Sequence, residues 1–419
     1  MKLPQLTLRA LAASTALAGA ASAQTELSLW YHGAGNEAES TILNGIIEDF
    51  NGAQSDWKVT VESFPQESYN DSVVAAALAG NLPCILDVDG PVMPNWAWAG
   101  YLQPLPVREE ALEGHLDATI GRWNGEVYSA GFWDAAVALF ARQSTLDEFG
   151  LRTPTLEEPW SREEFMAALE AAKASGKYDY ALDLGTAWTG EWYPYAFSPF
   201  LQSFGGDIVD RETYQTAEGA LNGDAAIAFG EWWQSLFTEG YAPGTSQDPA
   251  DRDSGFTEGK YAFSWNGNWA AVPALEAVED LVFLPAPDFG NGPVIGAASW
   301  QFGVSSACGH PEGAAAFVEH ALQDKYLADF SDGIGLIPST KEAAQMTGNY
   351  ADGGPMAVFF DLSEQQAQVR PVTPGYVVAA KVFEKALADI ANGADVADTL
   401  DGAVDEIDSD IEANRGYGH

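Results

Sequence analysis

Residues 26–90 read ELSLWYHGAGNEAESTILNGIIEDFNGAQSDWKVTVESFPQESYNDSVVAAALAGNLPCILDVDG, and this stretch decides the fold. Leu27 to Trp30 is a short apolar strand, followed by a glycine-containing loop from His32. From Glu37 to Phe50 the apolar positions Ile42, Ile46, Ile47 and Phe50 recur at helical spacing. Trp57 to Phe64 alternates as a strand. Val73, Val74, Ala77 and Leu78 mark a second helix between Tyr69 and Ala79, which Gly80-Asn81 ends. Cys84 to Asp89 reads as a buried strand closing in two carboxylates before Gly90-Pro91. Strands alternating with helices predict a parallel α/β sheet. In such sheets ligands sit beyond the carboxyl ends of the strands. The loops 32–39 and 87–91 hold that position.

Outward from this unit, 105–117 is a loop-rich connection and 135–141 a continuous apolar run that fits a buried strand. A helical region is expected over 154–175, where Ser161 precedes Glu163 and Glu164 as an N-cap. Others are expected over 217–238 and 311–323. Residues 256–269 read as strand then loop, and 281–287 as a strand with a proline exit. Val396, Leu400, Val404, Ile407 and Ile411 form one helical stripe, and Asp398, Asp401, Asp405, Asp408 and Glu412 the opposite, solvated face.

Residues 1–23 read as a secretory leader. Lys2 and Arg9 come first, then an apolar run from Leu11 that is too short to span a bilayer, then Ala21-Ser22-Ala23. No Cys follows Ala23 and there is no twin arginine, so an unanchored exported chain starting near Gln24 is expected. About 396 residues would remain, enough for two or three lobes.

The chain carries 61 Asp+Glu against 19 Lys+Arg. Nucleic acid is excluded as a partner, since the basic patch that neutralises phosphates is missing. The acidity fits a solvated surface or, as a sharper reading, a cationic ligand. The 14 Trp, 15 Tyr and 21 Phe supply core area, but Trp also recurs beside acids and amides. Trp133-Asp134, Glu191-Trp192-Tyr193, Trp265-Asn266 and Asn268-Trp269 are the pairs. Such pairs suit a ligand with apolar faces and a rim of hydroxyls, which is the character of a sugar. Cys84 and Cys308 are the two cysteines, open to a disulfide in an oxidising compartment or to two buried thiols.

Enzyme templates fail. GxSxG, HExxH, the P-loop and a GxGxxG after a strand are all missing. Five His leave little for a His-based metal site or triad, and no cofactor is expected. Asp87-Val88-Asp89 suits hydrogen-bonding carboxylates at a strand end better than a metal pair, because nothing nearby completes a ligand set. A glycosidase needs only two carboxylates correctly spaced in the fold. A secreted glycoside hydrolase therefore stays as an alternative, beside a binding protein for a cationic small ligand.

The chain resembles the extracellular solute-binding proteins of carbohydrate ABC importers, the group that includes maltose-binding protein. The segments that carry the resemblance run in order through nearly the whole mature chain. They are LSLWYHGAGNEAE, AALAGNLPCILDVDGP, FTEGKYAFSWNGNWA, LVFLPAPDFGNGPVIGAASWQFGVSSACGHPEGAAAFVEHAL, GLIPSTKEA, and RPVTPGY with DIANGADVADTLDGAVDEID. The resemblance implies a two-lobe periplasmic-binding-protein (Venus-flytrap) fold, each lobe a mostly parallel sheet flanked by helices. Residues 24–130 with 285–330 would form lobe 1, and 131–284 with 331–419 lobe 2. It also implies a periplasmic protein, monomeric, that captures a mono-, di- or oligosaccharide or glycoside between the lobes. Delivery would be to the permease of an inner-membrane ABC transporter.

Carried over residue by residue, the resemblance puts His32, Glu39 and Asp89 on the lobe 1 side of the cleft. It puts a sugar-binding carboxylate at Asp134 and a stacking platform at Trp269, and turns the stretch from Arg370 to Tyr376 toward the ligand. Trp133, Trp188, Glu191, Trp192, Asn266 and Trp300 complete the candidates. The bland alternatives remain beside them: core packing for Trp133, Trp188 and Trp192, a loop-capping role for His32, and a surface ion pair for Arg370.

Overall fold

The computed structural model describes residues 24–245, 247–297 and 300–418. The expected leader, residues 1–23, lies outside them. β1 (Thr25–Tyr31), β2 (Trp57–Ser63) and β3 (Ile85–Asp89) follow the reading of 26–90 closely. β2 and β3 both pair parallel with β1, with Leu29 opposite Ile85. The helices Glu37–Ala53 and Gln66–Ala79 are the crossovers. The Asn36 side chain caps the first, accepting from the Glu39 N–H at 3.2 Å. Gly80, at φ 71°, closes the second.

Beyond this unit the sheet departs from expectation, because its remaining pairings are antiparallel. β13 (Trp300–Ser305) runs back along β3, with Trp300 opposite Asp89. Its other side takes β4 (Leu102–Gln103) and β6 (Glu126–Gly131). β5 (Ile120–Trp123) is a hairpin partner of β6, and the order is β2-β1-β3-β13-β6-β5. Asn124 (φ 49°) and Gly125 (φ 83°) make the two-residue turn, which can only join antiparallel strands. The sheet is therefore mixed rather than mostly parallel. Cys84 and Cys308 are joined in a disulfide that ties the foot of β3 to the segment after β13.

The second sheet is also mixed. It contains β8 (Val137–Arg142), β9 (Tyr180–Asp183), β10 (Tyr261–Gly267) and β11 (Leu281–Leu284), in the order β11-β8-β10-β9. Only β9 and β10 run parallel. Phe140, Phe197, Trp233, Phe263 and Trp265 fill its core, all fully buried. The expected helical region at 154–175 begins only at Arg162, because Pro154 and Pro159 keep its start extended. A capping box of Ser161 and Glu164 opens it. The region expected from 217 begins at Asp224, after turns at Gly219 and Gly223.

The segment 188–195, to which the sequence assigned no element, leads into the buried helix Trp192–Phe204. Nearly every side chain of that helix is buried, so it has no polar face to give a readable stripe, and Pro194 and Pro199 speak against a helix.

One short two-stranded pairing stitches the two bodies together, β7 (Trp133–Asp134) with β14 (Ile337–Pro338), while β12 (Ile295–Gly296) pairs with β15 (Ala367–Gln368) within the second. Residues 285–297, expected with the first body, pack with the second. Ala286, Phe289 and Ile295 join its core, and the Asp288 N–H donates to Trp160 O at 2.8 Å. Phe289 stacks on Phe204 at 4.8 Å, which holds this segment down until the chain returns at Trp300. In turn Phe132 and Trp133, expected in the second body, sit in the first core. The bodies also meet where Asn95 Nδ2 donates to Pro374 O at 3.0 Å and Trp98 packs edge-on to Tyr417. Among the described residues no helix is long and apolar enough to cross a membrane.

Candidate functional site

The carboxyl ends of β1 and β3 build the first side of the site. His32 follows β1 and is 4% exposed. Its Nδ1 contacts Asp87 Oδ2, its Nε2 lies 3.5 Å from Glu39 Oε1, and its ring stacks on Trp300 at 3.9 Å and 11°. Glu39 also accepts from the Tyr31 hydroxyl and, at 2.9 Å, from Asn36 Nδ2. Tyr69 packs edge-on to Trp300, and its oxygen accepts from the Asp87 N–H at 3.0 Å. Burial lowers the His32 imidazole, but the adjoining Asp87 carboxylate outweighs it and holds the ring above its usual value. Burial raises the Glu39 carboxyl.

The second side gathers around Arg370, which follows β15 and is 5% exposed. Its Nη1 donates to the Ala297 carbonyl, its Nε lies 2.9 Å from Glu191 Oε1, and its guanidinium lies over the Tyr195 ring at 5.1 Å. The Tyr376 hydroxyl donates to the same Glu191 oxygen. Asp89, on the end of β3, faces this group from the first body. Burial pushes the Asp89 carboxyl up to about 6 against the pull of Arg370. Burial pushes Glu191 up to about 7, again opposed by Arg370, with Asp89 adding repulsion. A cavity of about 220 Å³ opens beside Arg370, lined by Gly90 and Pro91 from one body and by Ala297 and Val369 from the other.

Next to Glu191 the aromatic side chains cluster. Trp188 and Trp192 meet edge-on at 4.6 Å, and Trp269 lies 6.2 Å from Trp188, 6.0 Å from Trp192 and 6.1 Å from Tyr195. The Trp269 ring folds back over the end of β10 because position 267 is glycine; a Cβ there would lie 2.1 Å from the ring. Asp134 is fully buried at the β7–β14 crossing. It accepts from the Ala135 N–H at 2.8 Å and from the Ser363 hydroxyl.

The profile of the bacterial extracellular solute-binding proteins matches residues 45–357. The chain belongs to that family. An uncharacterized lipoprotein in the oleD 5′ region of Streptomyces antibioticus is 24% identical to this solute-binding protein over 311 residues, 71% of this chain and 67% of that one. The GacH receptor of Streptomyces glaucescens, solved unliganded and with acarbose and an acarbose homolog, superposes with a TM-score of 0.74 at 21% identity. The match covers 94% of this chain and 99% of that receptor. The cyclic α-maltosyl-1,6-maltose binding protein of Arthrobacter globiformis gives a TM-score of 0.77 at 20% identity, covering 93% and 100%. At these identities the likeness establishes the fold, which is the two-lobe periplasmic-binding-protein fold.

Within this solute-binding protein the candidate residues separate. Glu39 and Trp300 both contact His32, and Asp89, Glu191, Arg370 and Tyr376 form a second connected group. Trp188, Trp192 and Trp269 form a third. Trp133 packs against Phe132 at 4.3 Å and Phe330 at 5.3 Å, and its ring lies 6.1 Å from that of His32. Asn266 folds its side chain onto the N–H of Gly267, at 2.8 Å.

The sequence reading had Asp87 as a hydrogen-bonding carboxylate, which its contact with His32 bears out, but it did not name Asp87 or Tyr195 among the site residues. Asp87 stands two residues before Asp89 and so shares its face of β3. Tyr195 stands four residues after Glu191, a spacing that signals adjacency only once 192–204 is known to be helical. Among the described residues no group of three or more His, Cys, Asp or Glu side chains is arranged to hold a metal ion.

Proposed function

We propose that this protein is an exported, periplasmic sugar-binding component of an ABC importer, acting as a monomer and performing no chemistry on its ligand. The observation that carries this reading is the convergence of buried and half-buried polar side chains from both bodies beside a cluster of indoles. Asp89 and His32 come from the first body, Arg370 and Glu191 from the second, with Trp188, Trp192 and Trp269 alongside. Indole faces match the apolar faces of a pyranose ring, while carboxylates and guanidinium match its hydroxyls. The acarbose and cyclic maltosyl-maltose ligands of structurally similar proteins support the same class.

In this reading the two bodies are lobes that open and close. Ligand enters the open form, contacts from both lobes favour the closed form, and the closed form is presented to a membrane permease. His32, Glu39, Asp89, Asp134, Trp188, Glu191, Trp192, Trp269, Trp300, Arg370 and Tyr376 serve the ligand directly or hold those that do. We add Tyr195 to them.

The test is a melting-temperature screen over mono-, di- and oligosaccharides, since a ligand selective for the folded state raises the melting point. Small-angle scattering and recovery of the sugar then follow. A sugar that raises the melting temperature, shrinks the radius of gyration and is recovered unchanged supports the reading. Release of a hydrolysis product defeats it.

A further inference from the structure

The buried and half-buried side chains that meet between the two bodies do not balance in charge. Glu39 and Asp87 face His32, and Asp89 and Glu191 face Arg370. Four carboxylates thus stand against one guanidinium and one imidazole. Glu384, which accepts from the Gly190 N–H at 2.7 Å, adds a fifth close to Glu191. Burying unpaired charge is costly, so the excess calls for a cation or a proton.

Two further observations show that the group is built around something else. The Tyr195 hydroxyl, on a side chain only 5% exposed and in the field of Asp134 and Arg370, makes no hydrogen bond. Arg370 Nε stays in its 2.9 Å ion pair with Glu191, so the Tyr195 hydroxyl is the polar atom left for a ligand. The third ingredient is the ring cluster of Trp188, Trp192, Trp269 and Tyr195 beside Glu191. Aromatic faces attract cations, as the Arg370 guanidinium over Tyr195 already illustrates.

We infer that the ligand is a sugar or glycoside carrying a positively charged nitrogen, which lies between Glu191 and Asp89 and against the indole cluster. This rests on the sugar reading above and narrows it. A ligand with hydroxyls alone leaves two carboxylates on one guanidinium, and one of them must then take up a proton. Burial raises both carboxyl groups, so that proton is only loosely held at neutral pH. An ammonium supplies the missing charge directly and leaves the Arg370 bond to Ala297 in place.

The test compares matched probes on the full chain: glucose with glucosamine, cellobiose with a chitosan disaccharide, and choline as a cation without a sugar ring. Calorimetry at pH 7.5 should show the amine of at least one pair binding 10-fold or more tighter than its neutral partner. Glu191→Gln and Asp89→Asn should each cut that preference to below 3-fold without lowering the melting temperature of the unliganded protein. Neutral sugars binding as tightly as their amines, or no amine binding at all, overturns the inference, and in the first case the sugar reading survives. Choline binding as well as glucosamine, with every neutral sugar silent, overturns the sugar reading instead. The comparison in the unaltered protein stands even if a variant folds poorly.

Discussion

The two sides of the site are assembled in opposite ways. On the His32 side the polar partners come from one body: Asp87, Glu39, Tyr31 and Asn36 are within the first ninety residues. The strands that present them, β3 and β13, are also stapled at their far ends by Cys84–Cys308. On the Arg370 side the groups come from 89, 191, 297, 370 and 376, and from both bodies. Each side keeps one buried oxygen without a hydrogen bond, Asp87 Oδ1 on the first and the Tyr195 hydroxyl on the second. The first side is held together within its own body, whereas the second exists only when the bodies are together. Selectivity and closure should therefore reside with Arg370 and its neighbours.

The largest effect that would sharpen this contrast is at Arg370. Arg370→Ala removes the single guanidinium facing Asp89 and Glu191, and breaking a buried pair by deleting one partner costs about 3–5 kcal/mol. Denaturant unfolding should show a loss of that order together with loss of ligand binding. Unchanged stability would mean that the two carboxylates do not depend on it. Next comes the staple. Replacing both Cys84 and Cys308 by Ser should cost about 2–4 kcal/mol of unfolding free energy. Ligand affinity should change little, because the hydrogen bonds of the first side persist. Thiol titration of the denatured, unreduced protein should find no free thiol. A large loss of affinity would show that the first side needs the staple to hold its geometry.

The same contrast governs what could be read from the sequence. The stretch 26–90 was legible because each element has its own local signature: a two-sided periodicity, a glycine stop, a strand run. Its helix was expected over 37–50 and spans Glu37–Ala53. The helix Trp192–Phe204 was hidden because burial on all sides erases periodicity. That one error removed Tyr195 from view, since its nearness to Glu191 exists only in a helix. Trp133, a cleft candidate because it neighbours Asp134, packs in the first core with its ring 6.1 Å from that of His32. The mixed sheets follow from where β13 returns, a long-range fact that no local pattern carries.

Smaller, and confined to binding, is the effect at Trp269. It is partly exposed and held by Gly267, so Trp269→Ala should weaken sugar binding by about 1–3 kcal/mol while barely lowering the melting temperature. Gly267→Ala should mimic part of this loss by displacing the ring. Asp134→Ala cuts the other way. Its carboxylate bonds Ser363 across the two bodies' crossing, so stability should fall along with affinity. Wild-type calorimetric affinity in Asp134→Ala would leave that residue a purely structural role.

The smallest effect is the dependence of closure on pH, and its sign is fixed by the side on which the groups sit. A solvated carboxyl group has a pKa of about 4. With the bodies together Asp89 rises to about 6 and Glu191 to about 7, mainly through burial and against the attraction of Arg370. The closed arrangement therefore binds protons more tightly than the open one. Its added stability is fully present below about pH 4 and is lost as pH rises through about 6 to 7. His32, Asp87, Tyr376 and Glu384 also face these two carboxyl groups. His32 is held by its own body in either arrangement. Its raised value adds to folding stability below about pH 6.5 and leaves the open–closed balance alone. Unliganded protein should accordingly show a smaller radius of gyration at pH 5 than at pH 8, and Glu191→Gln should flatten that difference. If the wild-type radius is the same at both pH values, Asp89 and Glu191 do not meet on closing, and the two sides of the site are not assembled as differently as the structure portrays them.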